Sequence, residues 1–140
     1  MWIDQRGSEV LERSECARLL AVKSGGVGRL GMVVEGQPAV VPLNYTMVDG
    51  DVVVRVGPGT ILATIRESGT IVAFEIDDQP ADGRSGWWSV LVQGLAQEVT
   101  DPNRLVLFAP GAPVPAVPEP GESMVRIRPD VLSGRRFAPS

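Results

Sequence analysis

Aspartate followed by glycine at positions 49 and 50 stands between two stretches rich in β-branched residues, and this dipeptide constrains the fold more than any other feature of the chain. Both residues tolerate the positive φ that a tight, primed β-turn demands, so the flanking stretches must run antiparallel. The stretch before the turn covers residues 39–47. The one after it, 51–56, places Val52, Val54 and Val56 on one face and Arg55 on the other. A second turn around Glu35-Gly36 joins 39–47 to an earlier strand over 27–34. Three successive antiparallel strands are therefore predicted.

The rest of the chain supplies more strands and few helices. Residues 13–23 read as an amphipathic helix, because Cys16, Leu19, Leu20 and Lys23 recur at spacings of three and four, and Ser24-Gly25-Gly26 ends it. Residues 60–68 read as a short helix with Thr60 as N-cap, Ile61, Leu62 and Ile65 facing the core and Gly69 as the stop. Strands follow over 70–77 and from 87 to about 99, the second interrupted by Gly94, a sign of a bulge or sharp bend. Asp101-Pro102 opens a short helix through Phe108. Pro110, Pro113, Pro115, Pro118 and Pro120 make 110–120 an extended excursion that cannot be a central strand. Residues 124–128 and 131–136 are the last strands. The expectation is one domain over 1–140: an N-terminal extension at 1–10, then a mainly β, six- to seven-stranded antiparallel barrel with two or three short helices. Closure is favoured because it removes exposed edges.

Composition then excludes whole classes of chemistry. The chain has no histidine, which removes Ser-His-Asp and Cys-His nucleophiles, His-ligated metals and a proximal-His haem. Cys16 is the only cysteine, so there is no intrachain disulfide, Cys-x-x-Cys pair or thiolate cluster, and its place on the apolar helix face marks it as structural. Thirteen basic against seventeen acidic residues give a net charge of −4, which argues against a nucleic-acid partner. Arg126, Arg128, Arg135 and Arg136 form a basic cluster and Glu75, Asp77, Asp78 and Asp82 an acidic one; both read as solvated or mutually paired. Asp77-Asp78 reads as a turn pair and not as a catalytic dyad. No apolar stretch reaches the roughly 20 residues of a membrane span. The first nine residues lack the charged head and apolar run of a signal peptide, so a cytoplasmic location is expected. Any redox chemistry must therefore come from a bound cofactor.

Two local features invite one. The strand ending at Val56 runs into Gly57-Pro58-Gly59-Thr60, which opens a helix, and free N–H groups at a helix N-terminus favour an anion such as phosphate, with Arg55 close in sequence. An ordinary strand-to-helix turn would need the same glycines. Trp87, Trp88 and Tyr45 offer flat rings suited to a planar ligand or a subunit interface, and core packing accounts for them nearly as well. Alternation along the strand sends Trp87 and Trp88 to opposite faces.

The order of the segments carries a resemblance. Val27-Gly-Arg-Leu, Pro42-Leu-Asn-Tyr45, Val54-Arg-Val-Gly57 with Gly59-Thr60, Val72-Ala-Phe-Glu-Ile-Asp-Asp78, Gly86-Trp-Trp-Ser-Val-Leu-Val-Gln-Gly94 and Val131-Leu-Ser-Gly-Arg-Arg136 resemble the successive motifs of pyridoxamine 5′-phosphate oxidase-like flavin-binding split barrels, especially small actinobacterial ones. The resemblance implies a homodimer with FMN, or a deazaflavin, in each of two clefts between subunits, and hydride transfer to or from a small-molecule redox substrate. It implies that Pro42, Leu43, Asn44 and Tyr45 line the flavin ring, that Arg55, Gly59 and Thr60 hold the phosphate, and that Trp87 and Trp88 lie near the cleft or the dimer contact. It implies no catalytic side chain and no metal. The chain departs from its relatives at Ile61, where lysine is common, at Gln93, where arginine is frequent, and at Met124, where an aromatic residue is usual. The alternative is a degenerate split barrel acting as a binding or structural module with little or no flavin.

Overall fold

The two tight turns form as their residue types require. Glu35 and Gly36 have φ of 51° and 77°, Asp49 and Gly50 φ of 50° and 83°, and the rungs Val34↔Gln37 and Val48↔Asp51 close both as two-residue loops. The computed structural model describes residues 2–3, 8–79, 81–82, 86–100 and 121–137. Strands β1 (Trp2–Ile3) and β2 (Glu9–Val10) precede helix α1 (Arg13–Val22). The meander β3 (Val27–Val34), β4 (Gln37–Val48) and β5 (Asp51–Val56) leads into helix α2 (Thr60–Ser68). Then come β6 (Thr70–Asp78), β7 (Trp87–Glu98), β8 (Ser123–Ile127) and β9 (Val131–Phe137). The helix expected over 101–108 and the proline-rich excursion at 110–120 lie outside the described residues.

All pairings are antiparallel, in the order β1-β2-β9-β7-β6-β3-β4-β5-β8, and β8 pairs back to β7. Six strands, β7-β6-β3-β4-β5-β8, thus close a barrel, with β9, β2 and β1 continuing the sheet from β7. The alternation read from the sequence becomes an inside and an outside. Leu30, Val52, Val54, Val72, Phe74, Val90, Val92, Val125 and Ile127 point inward and are buried, joined by Cys16, Leu19 and Leu20 of α1 and Leu62 and Ile65 of α2. Each such side chain contributes about 1.5–3 kcal/mol through burial. Ile61 also packs against this core.

One detail corrects the sequence reading. Gly59 is the residue capping α2 and Thr60 the first residue inside it. A φ of 149° suits glycine at the cap, and no side chain is used there. The outward side of β5 and β8 also holds a second apolar cluster, Val53, Val99 and Met124, all buried, so β5 is covered on both faces. Among the described residues no helix is long and apolar enough to cross a membrane.

Gly94 is where β7 changes partner. Before it, Gln93 pairs with Val131 of β9; after it, Ala96 pairs with Ile127 of β8. The corner between β8 and β9 lies directly against Gly94, and a Cβ there would overlap the Arg128 carbonyl. Gly94→Ala is therefore expected to lower stability by about 3 kcal/mol. Gly31→Ala, whose new Cβ would meet nothing nearer than 3.8 Å, should change it by less than about 1 kcal/mol. Urea denaturation of the two variants checks this, and equal midpoints would contradict it.

Candidate functional site

Strand β4 presents its candidate residues alternately. Pro42 and Asn44 are exposed on the outward face, whereas Leu43 is part-buried against the core and Tyr45 is fully buried. The Tyr45 ring meets Phe74 edge-on at 5.3 Å and 67°, and its hydroxyl donates to the Leu20 carbonyl at 2.7 Å. That carbonyl lies in the last turn of α1, where helix acceptors lack intrahelical donors, so Tyr45 ties the helix end to the barrel. Burial pushes its phenol far above the ordinary range and keeps it a neutral donor. The ring belongs to the core. The adjoining turn is fastened to β4 as well: Gly25 N–H donates to Tyr45 O at 2.8 Å and Tyr45 N–H to Gly26 O at 3.1 Å. Asn44 Nδ2 donates to the carbonyls of Gly25 and Gly26 at 3.3 and 3.4 Å. Ser24 Oγ accepts from Met47 N–H at 2.9 Å.

Asn44 and Arg55 lie one residue beyond the Tyr45↔Val54 rung, both on the outward face of neighbouring strands. Arg55 is two residues from the turn that opens α2. Among the described residues, a Cβ at Gly57 or Gly59 would meet nothing within 4 Å, so bare backbone is left uncovered by them there. A phosphate can approach such a turn closely, and the nine-residue helix behind it adds the positive end of its dipole. Arg55 Nε is engaged by Glu122 Oε2 at 3.2 Å. Arg66, in the last turn of α2, donates to Glu98 and to Ser123 Oγ at 2.8 and 2.9 Å, and Ser123 donates to Glu98. The Ser123 bond foremost, then Arg66, holds the Glu98 carboxyl below its ordinary range.

Register and chain order thus place Asn44 beside Arg55, Pro42 two residues along the same face of β4, and Gly59 and Thr60 in the turn that follows β5. The tryptophans do not join them, because β6 and β3 separate β7 from β4. Trp87 is 36% exposed and stacks on Phe137 at 4.0 Å and 16°. Trp88 turns the other way and packs against the core, as strand alternation requires.

Sequence reasoning missed a charged group on the outward face. Arg29 Nη1 donates to Glu75 at 3.2 Å and Asp77 at 3.0 Å, and Arg29 is paired across the sheet with Pro42 on one side and Glu75 on the other. The i, i+2 spacing of Glu75 and Asp77 signals a shared face, but only the register reveals Arg29 as their partner. Around them the face is apolar. Val131, Gln93, Ala73, Gly31 and Val40 form a continuous row across five strands, and Val33, Val40, Ile71 and Val131 are 53–69% exposed.

Burial, with Asp77 beside it, raises the Glu75 carboxyl above its ordinary 4.5, and Arg29 only partly offsets this. A raised folded-state value gives a stability contribution present below 4.5 and lost as pH rises through the folded value. Glu98 acts oppositely, as does Glu15, which the bonds from Arg18 and then Arg136 pull down to about 2. Comparison with Glu75→Gln isolates the first effect. The melting temperature of Glu75→Gln relative to the parent should rise as pH increases from 4 to 7, and a difference independent of pH would contradict the assignment.

The comparisons with known proteins agree with this architecture. An uncharacterised protein, Rv0080, of Mycobacterium tuberculosis is 36% identical over 131 residues, covering 91% of this chain and 84% of its own. An FAD-binding protein of Mesorhizobium loti superposes with a TM-score of 0.73 at 27% identity, over 94% of this chain and 99% of that one. An FAD-binding protein of Mycobacterium smegmatis does so with a TM-score of 0.67, also at 27% identity, over 93% and 98%. The sequence profile of the pyridoxamine 5′-phosphate oxidase family matches residues 12–136, which include all six barrel strands, and by that match this chain belongs to the family.

Proposed function

We propose that this chain is a flavin-dependent oxidoreductase that works as a homodimer, with the flavin held on the outward face at the junction of β4, β5 and α2. The observation that carries the reading is the open backbone at Gly57 and Gly59 beside Arg55, on a barrel whose relatives at 27% identity are described as FAD-binding proteins. Pro42 and Asn44, with the backbone of Leu43 and Tyr45, form the wall for the ring. Arg55, Gly59 and Thr60 bind the phosphate. Tyr45 acts from behind, by fixing β4. A bound flavin supplies hydride transfer, so the side chains need only orient it and keep water away. FMN is the first choice, FAD is raised by the relatives, and a deazaflavin has the same ring shape.

A second copy is the proposed occupant of the apolar face around Gly31 and Ala73. Exposed β-branched residues at Val33, Val40, Ile71 and Val131 surround this flat centre, and contiguous apolar patches of this kind mark association surfaces. The contact proposed is isologous, each patch meeting its own equivalent. It explains how Trp87, three strands from β4, serves the same cleft: it comes from the other copy.

The alternative is a barrel that has given up its cofactor. It is favoured by Ile61, which packs against the core at the position where the resemblance implies a lysine, and by the engagement of Arg55 with Glu122. Absorbance of freshly purified protein in the flavin bands, followed by titration with FMN, riboflavin, FAD and a deazaflavin, separates the two. The proposal expects flavin binding, with Arg55→Ala weakening FMN about ten- to a hundredfold while leaving riboflavin unchanged, the loss of one charge-assisted contact. Absence of binding by every flavin would establish the alternative.

A further inference from the structure

We infer that Glu122 is a built-in competitor for the cofactor's phosphate, and that its hold on Arg55 sets how strongly the site prefers a phosphorylated flavin; this rests on the flavin-binding reading above. The carboxylate already occupies the place an anion would seek. Its Oε2 lies 3.2 Å from Arg55 Nε, and both side chains are largely withdrawn from water, 22% and 33% exposed. A guanidinium recognises phosphate through paired N–H groups on one edge, and Nε belongs to the edge that such a bidentate contact uses. While Glu122 holds Nε, a phosphate has fewer donors to engage and meets a pair whose charges cancel.

The backbone keeps Glu122 in place. Gly121, at φ 87°, lies against Pro58 of the open turn, since a Cβ on it would come within 3.4 Å of the proline ring. On the other side Ser123 pairs with Val56 and is bonded to Arg66 and Glu98. Residues on both flanks are thus fixed beside the turn, and Glu122 can yield Arg55 only by rotating its side chain. Arg66 cannot take over, because Glu98 and Ser123 already engage it. With Ile61 turned to the core, Arg55 is, among the described residues, the cation nearest in sequence to Gly57 and Gly59, and Glu122 holds it.

Glu122→Gln keeps the size and hydrogen-bonding capacity of the side chain and removes its charge. Titrated with FMN and riboflavin at fixed ionic strength, this variant should bind FMN about tenfold more tightly than the parent and riboflavin equally well. In the double variant Arg55→Ala/Glu122→Gln that gain should vanish. Melting temperatures identify any variant that fails to fold, and Glu122→Ala then provides the same charge removal with a smaller side chain. If Arg55→Ala weakens FMN selectively but neither Glu122 variant strengthens it, Glu122 is not a competitor, although the phosphate site stands. If neither the parent nor any variant distinguishes FMN from riboflavin, or none binds either, the competitor and the phosphate site fail together.

Discussion

Strand β7 is bonded to β6 along most of its length, and on its other edge first to β9 and then to β8. That exchange of partners is the constraint on which the rest of the structure depends. Without the rungs from Ala96 to Glu98, β8 would present an open edge, and an exposed strand edge invites pairing with other chains. Gly94 permits the exchange because the corner after β8 occupies the space a side chain would need. The same closure positions the candidate site. With β8 fixed between β7 and β5, its first residues lie against the turn that opens α2, which is how Glu122 reaches Arg55 and Ser123 reaches Arg66.

Inside and outside of the barrel then carry separate tasks. The inside is aliphatic apart from Tyr45, Phe74 and part of Trp88, and Tyr45 uses its one polar atom to hold the end of α1. Losing such a buried bond costs about 1–3 kcal/mol, because the carbonyl would be left unpaired. The outside has an apolar field around Gly31 and Ala73, with Arg29, Glu75 and Asp77 as a charged spot beside it. Several charges elsewhere are mutually paired, one of the two arrangements the sequence allowed: Arg126 with Asp51, Arg128 with Asp130, Arg136 with Glu9 and Glu15, and Lys23 with Asp78.

Much of this was legible before any coordinates, for local reasons. Asp49-Gly50 and Glu35-Gly36 encode their turns through φ alone, and α2 stops at Gly69 as read, although its cap is Gly59 and not Thr60. Gly94 announced an irregularity, though not that two strands share β7 there. What stayed hidden depends on register or on distant partners. Val53 shares its strand face with Arg55 and is nevertheless buried, because Val99 and Met124 gather on the same outer side. Tyr45 reads as a ligand platform, and nothing within its own strand reveals the Leu20 carbonyl 25 residues away. Arg29 and Glu122 acquire meaning only when the strands that carry their partners are placed beside them.

The functional reading turns on a flavin held on the outward face between two copies of this chain. Sedimentation velocity followed in the flavin absorption bands tests it most directly, with the parent protein and Gly31→Arg each mixed with FMN at micromolar concentration. A Cβ on Gly31 would meet only ordinary contacts among the described residues, none nearer than 3.8 Å, and the residue lies at the centre of the proposed contact. The account predicts that flavin absorbance travels with a two-chain species of the parent, and that Gly31→Arg stays folded, sediments as a single chain and leaves the flavin behind. Flavin absorbance travelling with a single chain in both proteins would contradict it.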